Sequence, residues 1–456
     1  MRHLVGLDDI GWRAGRRDQV VYDTDRLING HILLCGMSGT GKTFQSMRLL
    51  NAAVKAGLEI DVFDVHEELA GVAGATAVKY SQATRYGYNP LEVDPDPHVG
   101  GPGRQADFLV DLVRATSSAF GSRQEAVLRN LAMQVFQQAG VDVERPATWR
   151  RKAIDEKTRE KLIAENEFAK LREYYPTLAD LQAFAKRKIM ALTIGADSRA
   201  AAKFEELNRA IIQMRAANNK LRKSVADEEE IAKLDARIET LKGKSHDLYG
   251  QFLESIETGR EIDDILSFDS AETLASVLRR FDLINAAGIF NANPPPFGAA
   301  RARVHEIKSL SDDSQVLFVK LALRRIFDEV KKQGPTANGV EMRRVVFLDE
   351  AHKYFSKDPS DILNVVAKEA RKFGLGLWCA SQQPTEFPES FLTNVGATVL
   401  LGVHSAFWGR TSSMLRISED QLRAIRPKQT LALKLQEAGQ AEPAFRGVVV
   451  GRPEAA

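Results

Sequence analysis

Residues 36–43 read GMSGTGKT, with HILLC (31–35) before them and FQSMRLL (44–50) after. Only proline is a poorer helix former than glycine, yet three glycines stand at the mouth of a segment with helical apolar spacing. The apolar run ILLC (32–35) reads as a short buried strand, and 42–56 as the helix it feeds. LEIDVFDV (58–65) is a second strand. A strand, a glycine loop, a helix and a strand predict an α/β fold, with a mostly parallel sheet and helices on its faces.

The loop fits the P-loop pattern G-x-x-x-x-G-K-[ST]. Bare backbone at Gly36, Gly39 and Gly41 lets N–H groups turn inward toward phosphate oxygens. The helix starting near Lys42 adds the positive end of its dipole. The stretch Gly36, Met37, Ser38, Gly39, Thr40, Gly41, Lys42, Thr43 and Phe44 is therefore expected to hold ATP. Lys42 reaches the β- and γ-phosphates, and Thr43 offers a hydroxyl to Mg²⁺.

Such a loop needs acid partners, and VVFLDE (345–350) supplies them: four apolar residues, then two carboxylates at a strand's carboxyl end. Ligands of open α/β sheets bind at that end. Asp349 can hold the Mg²⁺ shell, and Glu350 can orient and deprotonate the attacking water. Gln382 follows another buried strand, LGLWCAS (375–381), and reaches the γ-phosphate or the water if the two strands are neighbours. Arg371, in AKEARKFG, sits between these strands; on residue physics alone a surface ion pair is the better reading. Asp64, His66 and Glu68 follow the second strand and are either supporting polar groups or plain loop residues. His352 completes the string DEAH, which is weak evidence for a helicase, and His31 reads as a packed residue.

Composition sets the outer limits. The 456 residues exceed what one core usually holds, and 44% hydrophobic with 27% charged residues is a globular balance. A net charge of +2 neither demands nor excludes nucleic acid, because a motor can confine its basic residues to a pore. Lysines and arginines in 301–325 and 405–428 are candidates for that role, although solvated surface explains most of them. The two cysteines, Cys35 and Cys379, lie in apolar stretches and read as reduced core residues rather than a disulfide framework. No apolar run approaches the ~20 residues of a membrane span, and the N-terminus lacks a signal-peptide pattern. A cytoplasmic protein without membrane insertion is expected.

The chain divides on its patterning. A short segment (1–29) precedes the P-loop part of the core (30–148), which includes a Gly/Pro-rich loop (89–104) and a helical stretch (105–140). Residues 149–262 are charge-dense and poor in glycine. There Leu207, Ile211, Met214, Leu221 and Val225 keep helical spacing, as do Ile231, Leu234, Ile238, Leu241 and Leu248. This predicts a helical insertion, with two helices as an antiparallel hairpin whose phase slips at 226–230. The α/β pattern resumes over 263–456, with strands at 303–307, 343–350, 375–381 and 397–403 and a helix over 314–332.

These pieces, in order, resemble the HerA branch of the HerA–FtsK ATPases, which also includes conjugation and type IV secretion ATPases. The likeness runs through INGHILLCGMSGTGKT, FDVHEEL, YNPLEVDPD, SRQEAVLRNL, LINAAGIF, RVHEIKSLSDD, VVFLDEAHKYF and EARKFGLGLWCASQQPTEFPESFLTNVGATVLLG. It covers roughly 30–145 and 275–445, and the last block is its most specific part. The resemblance implies a RecA-like core, a homo-oligomeric ring (usually a hexamer), and double-stranded DNA drawn through the pore by ATP hydrolysis. It implies an arginine finger at Arg371, a polar sensor at Gln382, and a nuclease or other effector partner in DNA processing or phage defence. It also implies an N-terminal β-barrel before the P-loop, where this sequence has 35 residues. Two other readings stand beside it. One is a conjugation-type ATPase acting on protein or DNA transfer. The other is a regulatory nucleotide switch, against which the intact Glu350 argues.

Overall fold

The computed structural model describes residues 1–450 apart from 9–18, 99, 116–119, 195–197, 224–227, 255–269, 287, 291, 338–340 and 441–442. The chain packs as two units, Met1–Tyr88 with Ala287–Ala456, and Asn89–Ala286.

Among the described residues of the first unit, eleven strands form one sheet. They are β1 (Arg2–Asp8), β2 (Gln19–Asp23), β3 (Ile32–Cys35), β4 (Glu59–Asp64), β5 (Ala75–Lys79), β6 (Ala302–Glu306), β7 (Arg344–Leu348), β8 (Leu375–Ser381), β9 (Ala397–Leu400), β10 (Thr430–Leu435) and β11 (Arg446–Val449). Their spatial order is β2-β1-β11-β10-β9-β3-β8-β7-β4-β6-β5. From β9 to β5 every pairing is parallel. From β9 outward to β2 every pairing is antiparallel.

Both faces of the parallel block are covered, which is why its strands read as unbroken apolar runs. On one face Ile32, Leu34, Ile60, Val62, Val345, Phe347, Trp378 and Ala380 pack with Leu49, Leu50 and Ala53 of the helix Lys42–Lys55. The alternate residues point to the other face, where Phe318 of the helix Asp312–Lys332 lies edge-on to Phe63 at 6.0 Å. The two cysteines, Cys35 and Cys379, are free and buried.

That second face also holds a buried ionic cluster. Arg344 Nε donates to Asp61 Oδ2 at 2.7 Å, and Arg344 Nη1 to Glu329 Oε2 at 2.6 Å. His305 Nε2 stands 3.5 Å from Asp61 Oδ1, and its Nδ1 is 2.8 Å from the Tyr80 hydroxyl. Burial alone would raise the Asp61 carboxyl, but the His305 hydrogen bond and the Arg344 guanidinium hold it well below its ordinary value.

The N-terminal residues are not separate from this core. β1 pairs with both β2 and β11 and so extends the sheet at its antiparallel end. The second unit begins at Asn89 rather than at 149. The stretch expected to be helical over 105–140 is two helices, Pro102–Arg114 and Ser122–Gln138. Their apolar faces are buried within the helical unit: the two pack against each other, and Ser122–Gln138 also packs against Leu178–Ile194 and Ala271–Ala286. A stretch of helix reads alike in sequence whether it covers a sheet or other helices, so patterning does not locate this boundary.

The hairpin is formed by Ser198–Lys223 and Glu228–Glu254. Leu207, near the start of the first helix, meets Leu248, near the end of the second, so the pair is antiparallel. Ile238 and Leu241 are buried, whereas Ile231 is exposed. Val225 and the side chain of Leu221 lie outside the described residues.

Candidate active site

At the carboxyl end of β3 the chain must turn sharply. A Cβ at Gly36 would lie 2.5 Å from Thr40 Oγ1 and 2.9 Å from Leu401 Cβ, so only glycine fits there. Gly39 and Gly41 adopt left-handed backbone, with φ of 79° and 98°. The helix Lys42–Lys55 starts at Gly41 with no side-chain cap and no acidic residue in its first turn. Its first N–H groups have no intrahelical acceptors and point into the loop, which leaves the helix end open to an anion.

The loop borders a cavity of about 570 Å³, lined by Met37, Ser38, Gly39, Gly41, Lys42, Thr43, Phe44, Ser46, His66, Glu68, Leu69, Asp349, Glu350, Gln382 and Lys428. β7 delivers Asp349 and Glu350, and the adjacent β8 delivers Gln382, so the expected neighbour relation of these strands is present. Lys42 Nζ donates to Glu350 Oε1 at 2.8 Å, with side-chain exposures of 15% and 6%. Thr43 Oγ1 donates to Glu68 Oε2 at 2.7 Å. His66 Nε2 is 3.8 Å from Asp349 and 3.7 Å from Glu350. Glu350 takes a left-handed φ of 45°, a strained conformation for a residue with a side chain.

The two acids differ in environment. Burial, only partly opposed by Lys42 and His66, pushes the Asp349 carboxyl up to about 6. Burial also acts on Glu350, but the hydrogen bond and charge of Lys42, with His352 and the Gln382 amide, bring it below its ordinary value. His352 Nδ1 lies 2.9 Å from Ser381 Oγ, which donates to Glu386 at 2.9 Å. His352 Nδ1 is also 3.5 Å from Glu350 Oε2, so the last residue of β8 and the acid after β7 meet at one imidazole.

Other candidates lie elsewhere. Arg371 is exposed on the turn Ala370–Phe373 and is not among the residues lining this cavity. Asp64 is fully buried and accepts from the backbone N–H groups of His66, Glu67 and Leu69, so it shapes the turn that presents His66 and Glu68. His31 is buried, accepts from Leu377 N at 2.9 Å, and is pushed down to about 4 by burial. Of the basic residues weighed for a pore, Lys320 is buried and paired with Asp361, while Lys428 lines the cavity. Nothing local in the sequence marks Lys428, since it comes from a turn far along the chain.

Among the described residues no group of three or more His, Cys, Asp or Glu side chains forms a metal cluster, and no helix is long and apolar enough to cross a membrane.

Comparison with known proteins agrees with this geometry. The family model described as Helicase HerA, central domain, matches residues 9–326, and Helicase HerA-like C-terminal matches 318–445. A DNA double-strand break repair helicase HerA of Saccharolobus solfataricus is 30% identical over 108 residues, 23% of this chain and 22% of that protein. A probable helicase of Methanocaldococcus jannaschii is 27% identical over 111 residues, 23% of this chain and 21% of the relative. These matches thus span about a fifth of each curated relative. The structure of VirB4 of Thermoanaerobacter pseudethanolicus superposes with a TM-score of 0.58 at 15% identity, covering 99% of this chain and 96% of that one. At that identity it shows the fold, an α/β RecA-like core.

Proposed function

Because the chain belongs to the HerA helicase family, we propose that it is an ATP-hydrolysing motor that translocates double-stranded DNA. The observation that carries this reading is the convergence on one cavity of an open helix N-terminus, Lys42, the strand-end acids Asp349 and Glu350, and Gln382. The relatives named as DNA repair helicases supply the DNA part of it.

In this reading the loop N–H groups and Lys42 bind the phosphate chain, and Lys42 exchanges Glu350 for the terminal phosphates when ATP enters. Glu350, released from the lysine, orients the attacking water and takes its proton. Gln382, which lines the same cavity as Glu350 and follows Ser381 in the chain, reports the state of the γ-phosphate to the polar chain of Ser381, His352 and Glu386. Thr43 and Asp349 offer hard oxygen donors, and the elevated Asp349 carboxyl is an anion short of positive charge; both features suit Mg²⁺. Mg²⁺ held there would neutralise charge on the phosphates.

Arg371 is exposed and away from its own cavity, which supports a role as an arginine finger toward a neighbouring copy in a homo-oligomeric ring, a hexamer by family resemblance. A nuclease or other effector partner, in DNA processing or phage defence, belongs to the same proposal. The test is ATP turnover with and without linear double-stranded DNA. A DNA-dependent rise supports the reading, and turnover indifferent to DNA removes its DNA part.

A further inference from the structure

Lys428 stands in the turn before β10, two strands from β3 on the side away from β7 and β8. Its backbone N–H donates to Thr40 O at 3.2 Å, and a Cβ at Gly41 would lie 3.7 Å from Lys428 Cγ. The turn is pinned from within: Arg426 N–H donates to Thr430 Oγ1 at 2.8 Å, and Gln429 N–H to Arg426 O at 3.0 Å. Lys428 takes a left-handed φ of 65°, which few side-chain-bearing residues adopt. Such strain persists where surrounding structure fixes it, and it gathers at ligand sites.

Charge points the same way. Three carboxylates (Glu68, Asp349, Glu350) and two lysines (Lys42, Lys428) line the cavity, and Lys42 is paired with Glu350. None of the ion pairs among the described residues involves Lys428. Without its ammonium, the cavity would meet a polyphosphate with a surplus of negative charge.

We propose that Lys428 is a second phosphate-binding cation, which grips the part of the phosphate chain that ADP and ATP share. The strand order sets the Lys428 backbone apart from the acids that surround a γ-phosphate, which come from β7, on the far side of β3 from β10. The loop N–H groups beside Gly41, against which Lys428 packs, face the inner phosphates. The inference rests on the nucleotide reading of the cavity, and the test separates the two.

The experiment is equilibrium binding of ADP and of a non-hydrolysable ATP analogue to the full chain, in wild type, Lys428→Gly and Lys428→Arg. Glycine suits the left-handed backbone, so the Gly variant removes the ammonium without straining the turn. Loss of a charge-assisted hydrogen bond predicts that Lys428→Gly binds both nucleotides about ten- to a hundredfold more weakly, by the same factor. Its nucleotide-free melting temperature should be no lower than wild type, and Lys428→Arg should stay within about threefold of wild type because it keeps the charge. Unaltered ADP affinity in Lys428→Gly overturns the inference, as does a loss confined to the ATP analogue. Failure of wild type to bind either nucleotide overturns the nucleotide reading beneath it.

Discussion

Lys42 and Glu350 form a partly buried ion pair at 2.8 Å, and in the proposed mechanism each is needed elsewhere once ATP arrives. ATP binding must break that pair and then place the Glu350 charge close to the terminal phosphate. Replacing Glu350 by Gln keeps the size and a hydrogen-bond acceptor but removes the charge. Two unit charges about 4 Å apart interact by ~4 kcal/mol at an effective dielectric near 20, and desolvation offsets most of this. A hydrogen bond to a charged group retains about 1.5–3 kcal/mol net, of which the amide recovers part. Glu350→Gln should therefore favour ATP binding by about 1–2 kcal/mol, a roughly five- to thirtyfold gain in affinity. The same change removes the base, so turnover should fall by about 10²–10⁴-fold. Equilibrium binding of ATP under non-turnover conditions, and phosphate release at saturating ATP, measure the two effects separately. Weaker ATP binding would refute the claim that the pair opposes ligand entry. Turnover within about threefold of wild type would refute the role of base.

Two further predictions follow from features outside the cavity. Arg371→Ala should lose at least about a thousandfold in turnover, as arginine fingers do, while still binding ATP. Mixing it with Lys42→Ala should restore part of the activity, because each variant supplies what its neighbour lacks; no recovery in the mixture would remove the role in trans. Asp61→Asn leaves Arg344 buried without its main counter-charge and should cost about 3–5 kcal/mol in urea unfolding. Asp61 is depressed in the folded state, so its stabilisation is complete above the unfolded value near about 3.9 and is lost as pH falls through the folded one. The gap between variant and wild type should thus close in acid, and a gap below about 1 kcal/mol at neutral pH would show that the pair contributes little.

The parallel half of the sheet was legible because both its faces are covered. ILLC carries no polar residue and LGLWCAS only the buried Ser381 at its end, so neither marks a solvent face, and their bounds match β3 and β8. β1, β2, β5, β10 and β11 were not read. QVVYD mixes exposed and buried positions, and TLALKL, buried at all but the partly exposed Lys434, carries Thr430 and Lys434 in its apolar run; short strands of that kind at the antiparallel end give a weak signal. The cavity itself was legible where chemistry is local, as in the P-loop and the Asp349–Glu350 pair. Gln382 required one further fact, that β8 neighbours β7, which the spacing of strands suggests but does not fix. Lys428 had no local signal at all, since only the path from β9 to β10 brings it to Gly41. Patterning alone does not mark Asn89 as the start of the helical unit, because amphipathic helices do not declare which partner buries them.

The proposed function requires that this cavity turn over ATP to move DNA. The most direct measurement is phosphate release by the purified chain with and without linear double-stranded DNA, with Lys42→Ala and Glu350→Gln in parallel. Turnover should rise with DNA and disappear in both variants. Turnover that ignores DNA, or that persists without Lys42, would contradict that function.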